Sequence, residues 1–407
     1  MTPADARTTL RPGGAQEVAD AIADARRDRH GLEVIGGGTL RGVGGMVEAA
    51  SRLDLSGLDE VVAYEPDELV LTLGAGAAMD EVQAMLAARG QQLAFEPPDF
   101  RRVLGVEGRP TIGGMLASGF GGPRRIQAGA PRDHFLGFEA VGGDGAAFKA
   151  GGRVVKNVTG FDLSKLLAGS WGTLAVMTRV TVKVSPRPQT GATVMIAGLD
   201  EAAAVAVMNR ALGWPLEVSG AAHLDARSAV APAGGEAGAP ATLLRLEGFA
   251  PSVEARAAQL WERLGGLGPL RLLDQAASEA AWRAIRDATP FAGCGRTLWR
   301  LNVPAASAGR AVVAIRERTN VEALYDWGGA LVWLAVDGDD AAPILEAARG
   351  HGGQASLFRG AEALRRRTPM SIGQSGVRTR LEAGLRATFD PDGLLNPGRL
   401  GPIEAVN

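Results

Sequence analysis

The sequence predicts an α+β protein of more than one domain, and three observations carry that expectation. At 407 residues the chain exceeds what one ordinary core organises. Its first half reads as short strands separated by glycine clusters, whereas its second half alternates strands with longer helices. The second rhythm is that of an antiparallel sheet backed by helices on one face. Between the halves, a long strand over Leu174–Val184 runs into Pro186 and Pro188, which break it. The expected division is 1–188, 189–375, and a terminal segment 376–407 with a last helix and a turn-rich tail.

In the first unit, residues 15–27 place Val18, Ile22 and Ala25 on one helical face. Leu32–Ile35 is a short strand running directly into Gly36-Gly37-Gly38-Thr39. Strands are expected at Glu60–Tyr64 and Glu68–Leu73 around Pro66-Asp67, then a helix over Asp80–Ala88 that stops at Gly90. A long loop, Phe95–Arg109, precedes Thr111-Ile112-Gly113-Gly114 and a short helical piece. A Gly/Pro/Arg loop spans Gly119–Pro131. Phe135–Val141 and Ala146–Lys149 form a hairpin, followed by a strand Val154–Asn157 and a helix Leu163–Leu167. In the second unit, strands are expected at Thr193–Ile196, Thr242–Glu247, Thr297–Asn302 and Gly329–Val336. Helices are expected at 200–212, 252–264, 278–287 and 307–318. Ala229–Ala241, rich in Ala, Gly and Pro, reads as a surface loop, and Val377–Thr388 as the last helix.

Composition excludes several function classes. A net charge of -2 gives no reason to expect a nucleic-acid partner. The single cysteine, Cys294, excludes an internal disulfide and any Cys-based metal or iron–sulfur site. The histidines (His30, His134, His223, His351) are scattered, without an HExxH pair, and no metal site is expected. The polar N-terminus has no signal-peptide core and no run of eighteen apolar residues occurs, so the expected location is cytoplasmic. Lysine occurs only at Lys149, Lys156, Lys165 and Lys183, against thirty-nine arginines. Coding bias toward arginine accounts for the ratio, but not for the clustering of all four in one stretch.

The glycine clusters are informative by what they are not. Gly-Lys never occurs, which excludes a Walker loop. Gly74-Ala75-Gly76-Ala77-Ala78-Met79 lacks the third glycine of a dinucleotide fingerprint and follows a hairpin. A lysine-free anion site remains: glycines after a buried strand turn successive backbone N–H groups toward a phosphate. Gly36, Gly37, Gly38 and Thr39 fit that description, and Thr111, Ile112, Gly113 and Gly114 repeat it at a helix start. A third cluster runs from Gly151-Gly152-Arg153 through Lys156-Asn157, Gly160-Phe161-Asp162-Leu163-Ser164-Lys165 to Gly169-Ser170-Trp171-Gly172-Thr173-Leu174.

That third cluster resembles the FAD-binding domain of the vanillyl-alcohol oxidase/p-cresol methylhydroxylase superfamily, and more narrowly the FAD-binding subunits of bacterial glycolate oxidase. The similarity extends over Leu10–Pro186 and resumes at Tyr325–Leu331, Gly352–Gly360 and Phe389–Leu400. It implies a two-subdomain PCMH-type FAD-binding domain followed by an α+β cap domain. By the same resemblance, Gly36–Thr39 cradles one side of the FAD pyrophosphate. Thr111–Gly114 holds the other side and part of the isoalloxazine. Gly172, Thr173, Leu174 and Val176 meet the flavin and adenosine along a strand, and Asn396 folds back toward the flavin from the tail. Asp162 and Ser164 are equally placed to cap a helix.

Covalent attachment in this superfamily uses His, Cys or Tyr, and none lies in 31–63 or 100–130, so non-covalent FAD is expected. Catalytic relatives commonly carry an HxGDGNxH-type motif. Here Val336-Asp337-Gly338-Asp339-Asp340 has no flanking histidine and reads as a turn, and His351 stands alone. Arginines suit a carboxylate, and Arg300, Arg359 and Arg378 are the candidates by location. With the HxGDGNxH-type motif missing, the resemblance implies an accessory flavoprotein subunit of a complex that oxidises a small 2-hydroxy acid such as glycolate to glyoxylate, its FAD serving electron transfer or supporting the complex. Its partners would be a second FAD-binding catalytic subunit and an iron–sulfur subunit of glycolate dehydrogenase, with at most peripheral membrane contact through that complex. A free-standing FAD-linked oxidoreductase and a flavin-free scaffold are the alternatives. Five tryptophans (Trp261, Trp282, Trp299, Trp327 and Trp333) are candidate interface anchors.

Overall fold

The strand that leads into the first glycine cluster, Leu32–Ile35, pairs in parallel with Ser51–Asp54, which pairs in parallel with Thr8–Leu10 on its other edge. These strands belong to a computed structural model that describes residues 8–152, 161–226, 239–370 and 376–401. The helix Ala15–Arg27 lays Val18, Ile22 and Ala25 against this small sheet, because its apolar residues recur at helical spacing. A second, five-stranded antiparallel sheet runs in the order Val61–Glu65, Val70–Gly74, Ala175–Lys183, Phe135–Gly142, Ala147–Gly151. Val141 and Val176 leave this sheet to join the core of the first, where Leu395 of the tail also sits.

After Ser185–Pro186, which pairs with Gln91–Gln92, the chain enters an eight-stranded antiparallel sheet. Its order is Leu270–Leu273, Thr190–Ala197, Ala241–Gly248, Gly220–Leu224, Val321–Asp326, Leu331–Val336, Thr297–Asn302, Gln354–Arg359. The run Leu-Val-Trp-Leu-Ala-Val at 331–336 is buried throughout, as expected of a strand covered on both faces. Val332, Leu334 and Val336 meet the helices Glu201–Gly213, Ala250–Leu264, Ala308–Arg316 and Ala342–Gly350. Leu331, Trp333 and Ala335 face the first half, where Val43, Phe100 and Phe120 pack on them. The helix Gln275–Arg286 also lies on this second face, through Ala281, Trp282 and Ile285.

Four of the five tryptophans expected at an interface are core residues: Trp282, Trp299, Trp327 and Trp333 are buried, and only Trp261 is exposed. Their ring area is satisfied inside the chain. The expected strand Val154–Asn157, with Lys156, lies outside the described residues, as does most of the Ala229–Ala241 loop. No described helix is long and apolar enough to cross a membrane.

Candidate flavin and substrate site

The two smaller sheets and the helix Ile112–Ser118 border an open cleft. The first glycine cluster forms one wall. A Cβ on Gly36 would lie 2.1 Å from Thr111 Oγ1, and one on Gly37 would lie 1.6 Å from the Arg109 carbonyl oxygen. Gly36 therefore makes room for the Thr111 side chain, and Gly37 lets its backbone pack directly against that of Arg109. Gly38 differs: a Cβ there would make only ordinary contacts, with Arg41 Cδ at 3.5 Å, but its φ is +69°, which L-residues with side chains rarely adopt. Among the described residues, the backbone amides of Gly36, Gly37, Gly38, Thr39 and Leu40 have no protein acceptor. A run of unsatisfied amides turned through a left-handed residue is an anion nest.

The second cluster is built otherwise. The Ile112 amide donates to the Ala77 carbonyl at 2.9 Å and that of Gly113 to Ala75 at 2.8 Å. The Gly114 amide donates to Thr111 Oγ1 at 3.3 Å. Those donors are already used, so Thr111, Gly113 and Gly114 line the cleft as a wall without forming a second nest, and the Ile112 side chain is core. Of the third cluster, Gly172 lines the cleft beside Trp171, with φ of +66° and +56°. Thr173 and Leu174 line an adjoining cleft, the Thr173 hydroxyl donating to the Ser170 carbonyl. Val176 points into the core. Asp162 caps the helix Leu163–Leu167 by accepting from the Lys165 amide and pairs with the Lys165 ammonium.

Asn396 lines the cleft but spends its side chain on the protein. Its Oδ1 accepts from the Val34 amide at 2.8 Å, and its Nδ2 donates to the carbonyls of Trp171 at 2.8 Å and Val34 at 3.3 Å. It clips the tail, the first sheet and the Trp171-Gly172 turn together. Two neighbours were not legible in the sequence. Arg41 pairs with the buried Glu33 and borders the nest. Arg399 donates to the carbonyls of Arg41, Val43 and Gly45; burial and the nearby Arg365 push it down to about 10. Both put positive charge beside the free amides.

The adjoining cleft shares Ser118 and Trp171 with the first. Arg300, on the strand Thr297–Asn302, stands in it over Phe120 at 4.5 Å and Trp333 at 5.1 Å. Its Nε is buried without a partner, and burial with the neighbouring Arg125 pushes its guanidinium down to about 9. Arg125 lies over Trp327 at 4.3 Å in the same cleft. The other sequence candidates are engaged elsewhere. Arg359 donates to the carbonyls of Arg296, Val103 and Phe291 and to Cys294 Sγ. Arg378 sits at the cleft mouth, paired with Glu382. The Asp337-Gly338 segment is a turn with Gly338 at φ +77°, and His351 Nδ1 bonds its own helix at Ala347. No lining residue of either cleft is His, Cys or Tyr.

Residues 6–151 match the FAD binding domain family. Glycolate oxidase subunit GlcE of Escherichia coli (strain K12) is 32% identical over 95% of this chain and 97% of its own length. The chain belongs to the GlcE family of FAD-linked oxidoreductase subunits. The D-lactate dehydrogenase of Archaeoglobus fulgidus is 32% identical over 44% of this chain, and that match spans only 38% of its own length. Among solved structures, p-cresol methylhydroxylase with substrate bound superposes with a TM-score of 0.72 at 15% identity. The superposition covers 98% of this chain and 89% of that one, so this chain has the same fold over nearly its whole length. FAD is the cofactor of the family's matched domain, and the nest with its flanking arginines suits a pyrophosphate.

Proposed function

We propose that this chain is the FAD-binding subunit of a glycolate-oxidising complex, taking a small 2-hydroxy acid to the 2-oxo acid and passing electrons to partner subunits. One observation carries the reading: the nest of free amides at 36–40 lies inside an alignment that runs the length of a glycolate oxidase subunit. Residues 1–188 supply the flavin cleft, 189–375 a cap whose sheet closes the substrate side, and 376–407 the returning tail. Bound in the cleft, FAD supplies a two-electron acceptor. The amides of Gly36–Leu40 hold its pyrophosphate, with Arg41 and Arg399 adding favourable field. Thr111, Gly113 and Gly114 wall the opposite side, and Asn396 holds the Trp171-Gly172 turn in place. The partners are a second FAD-binding subunit and an iron–sulfur subunit, and any membrane contact is made through them.

The purified chain is expected to carry the visible flavin bands. Alone it should oxidise glycolate poorly with an artificial electron acceptor, and adding both partners should restore the rate. A flavin-free protein would reject the cofactor assignment; full turnover by the isolated chain would favour a free-standing oxidoreductase.

A further inference from the structure

Two arginines face one cleft without an anion between them. Among the described residues neither Arg300 nor Arg125 has a hydrogen-bond acceptor or an ion pair, although this chain pairs many of its other arginines; the carboxylates that act on them, Asp326 on Arg300 and Asp133 on Arg125, lie beyond ion-pair distance. Each is held instead by ring faces: Arg300 by Phe120 and Trp333, Arg125 by Trp327, over which Arg300 also lies at 5.9 Å. Two like charges kept close in a partly desolvated place repel, and an anion between them relieves that repulsion. Aromatic walls leave the guanidinium edges, and so the forked donors, available for a bidentate acceptor. Two polar groups beside Arg300 are neutral and small. Asn302 lies two residues along the strand from Arg300, on the same face, and its Nδ2 makes only a long 3.4 Å contact to Ala330. Ser356 stands opposite Arg300 on the neighbouring strand and lines the cleft. Ser118 and Trp171 belong to both clefts, so this corner opens onto the flavin cleft.

We propose that Arg300, assisted by Arg125, anchors the carboxylate of a small 2-hydroxy monocarboxylate in this chain's own substrate site, with Asn302 and Ser356 beside the hydroxyl. The proposal rests on the oxidoreductase reading above and adds that substrate meets this subunit and not only its partners. A guanidinium fork recognises a planar carboxylate, and the ring walls favour a short substrate whose remainder is compact.

Oxalate, a carboxylate that cannot be oxidised at a hydroxyl-bearing carbon, is titrated into the flavin-loaded full chain. Binding is followed both by the visible flavin difference spectrum and by tryptophan fluorescence, since Trp327 and Trp333 touch the arginines. Arg300→Met should weaken oxalate about 10- to 100-fold, as expected for a lost charge-assisted pair. Arg300→Lys should recover part of it, and Arg125→Met should weaken binding less. Flavin content should stay at the parent level in all three, which separates this proposal from the cofactor assignment. In the reconstituted complex Arg300→Met should raise KM for glycolate more than it lowers kcat. Parent-like oxalate binding by flavin-loaded Arg300→Met and Arg125→Met overturns the proposal, as does a parent chain that binds no oxalate by either signal. If Arg300→Met does not fold, Arg300→Lys and the cleft-exposed Arg125→Met decide the question. If the parent lacks flavin, the fluorescence titration still reads the anion site.

Discussion

Gly38 and Gly113 look alike in the sequence and behave differently in the fold. At Gly38 the backbone is left-handed and a Cβ would meet no atom closer than ordinary contact, so a β-branched residue strains the turn by about 1–2 kcal/mol and misdirects the free amides. Gly38→Val should therefore lose most of its flavin, read as visible absorbance per protein, while urea unfolding shifts only modestly. At Gly113 a Cβ would meet the Ala75 carbonyl oxygen at 2.6 Å. Gly113→Val should lose flavin and stability together. Full flavin retention by Gly38→Val would reject the nest. Asn396 shows the same separation of contact from position: it borders the cofactor cleft, yet its amide is consumed in joining tail, sheet and turn.

At the scale of elements, the strand Gly220–Leu224 carries a titrating group in the middle of the large sheet. His223 is fully buried; its Nδ1 meets Thr242 Oγ1 at 2.9 Å and its Nε2 has no partner. Burial pushes the imidazole down to about 4 from its ordinary 6.5. A depressed folded pKa means that stability is intact above pH 6.5 and is lost as pH falls toward 4, by an amount of order 3 kcal/mol. His223→Gln keeps a partner for Thr242 and cannot titrate there. Urea midpoints of parent and variant should converge on acidification from pH 7 to 4. Parallel curves would show that His223 does not govern this acid limb.

The whole molecule is joined across its two halves by a buried charge cluster. Glu96 from the first half accepts from Arg245 at 2.8 Å, and Arg124 donates to Glu247 at 2.6 Å. Burial alone would raise the Glu96 carboxyl, but Arg245 and Arg124 hold it down to about 2. Glu96→Ala leaves a buried guanidinium short of its counter-charge, and such truncations cost about 3–5 kcal/mol. Thermal melts should drop accordingly, and an unchanged melting temperature would show that the cluster does not couple the halves. The clefts also set how the cofactor leaves. With no His, Cys or Tyr in either lining, the flavin should be released into the supernatant by acid or heat precipitation; flavin retained on the washed pellet would contradict this.

What the sequence determined by itself was local and periodic. The helix Ala15–Arg27, the strand Leu32–Ile35 with its glycine turn, and the alternation of the second half follow from spacing and conformational preference, which neighbours in the chain decide. The strands Ser51–Asp54 and Gly220–Leu224 were not legible, since Ser-Arg-Leu-Asp and Gly-Ala-Ala-His-Leu have weak strand preference and are held by partners on both sides. Nor could the glycine motifs show which amides remain free: those at 112 and 113 bond to Ala77 and Ala75, a strand end more than thirty residues away, while those at 36–40 do not. Location narrowed thirty-nine arginines to Arg300, Arg359 and Arg378, but separating Arg300 from the other two required the same information. An unpaired charge is defined by what fails to surround it, and only the tertiary structure brings the surroundings together.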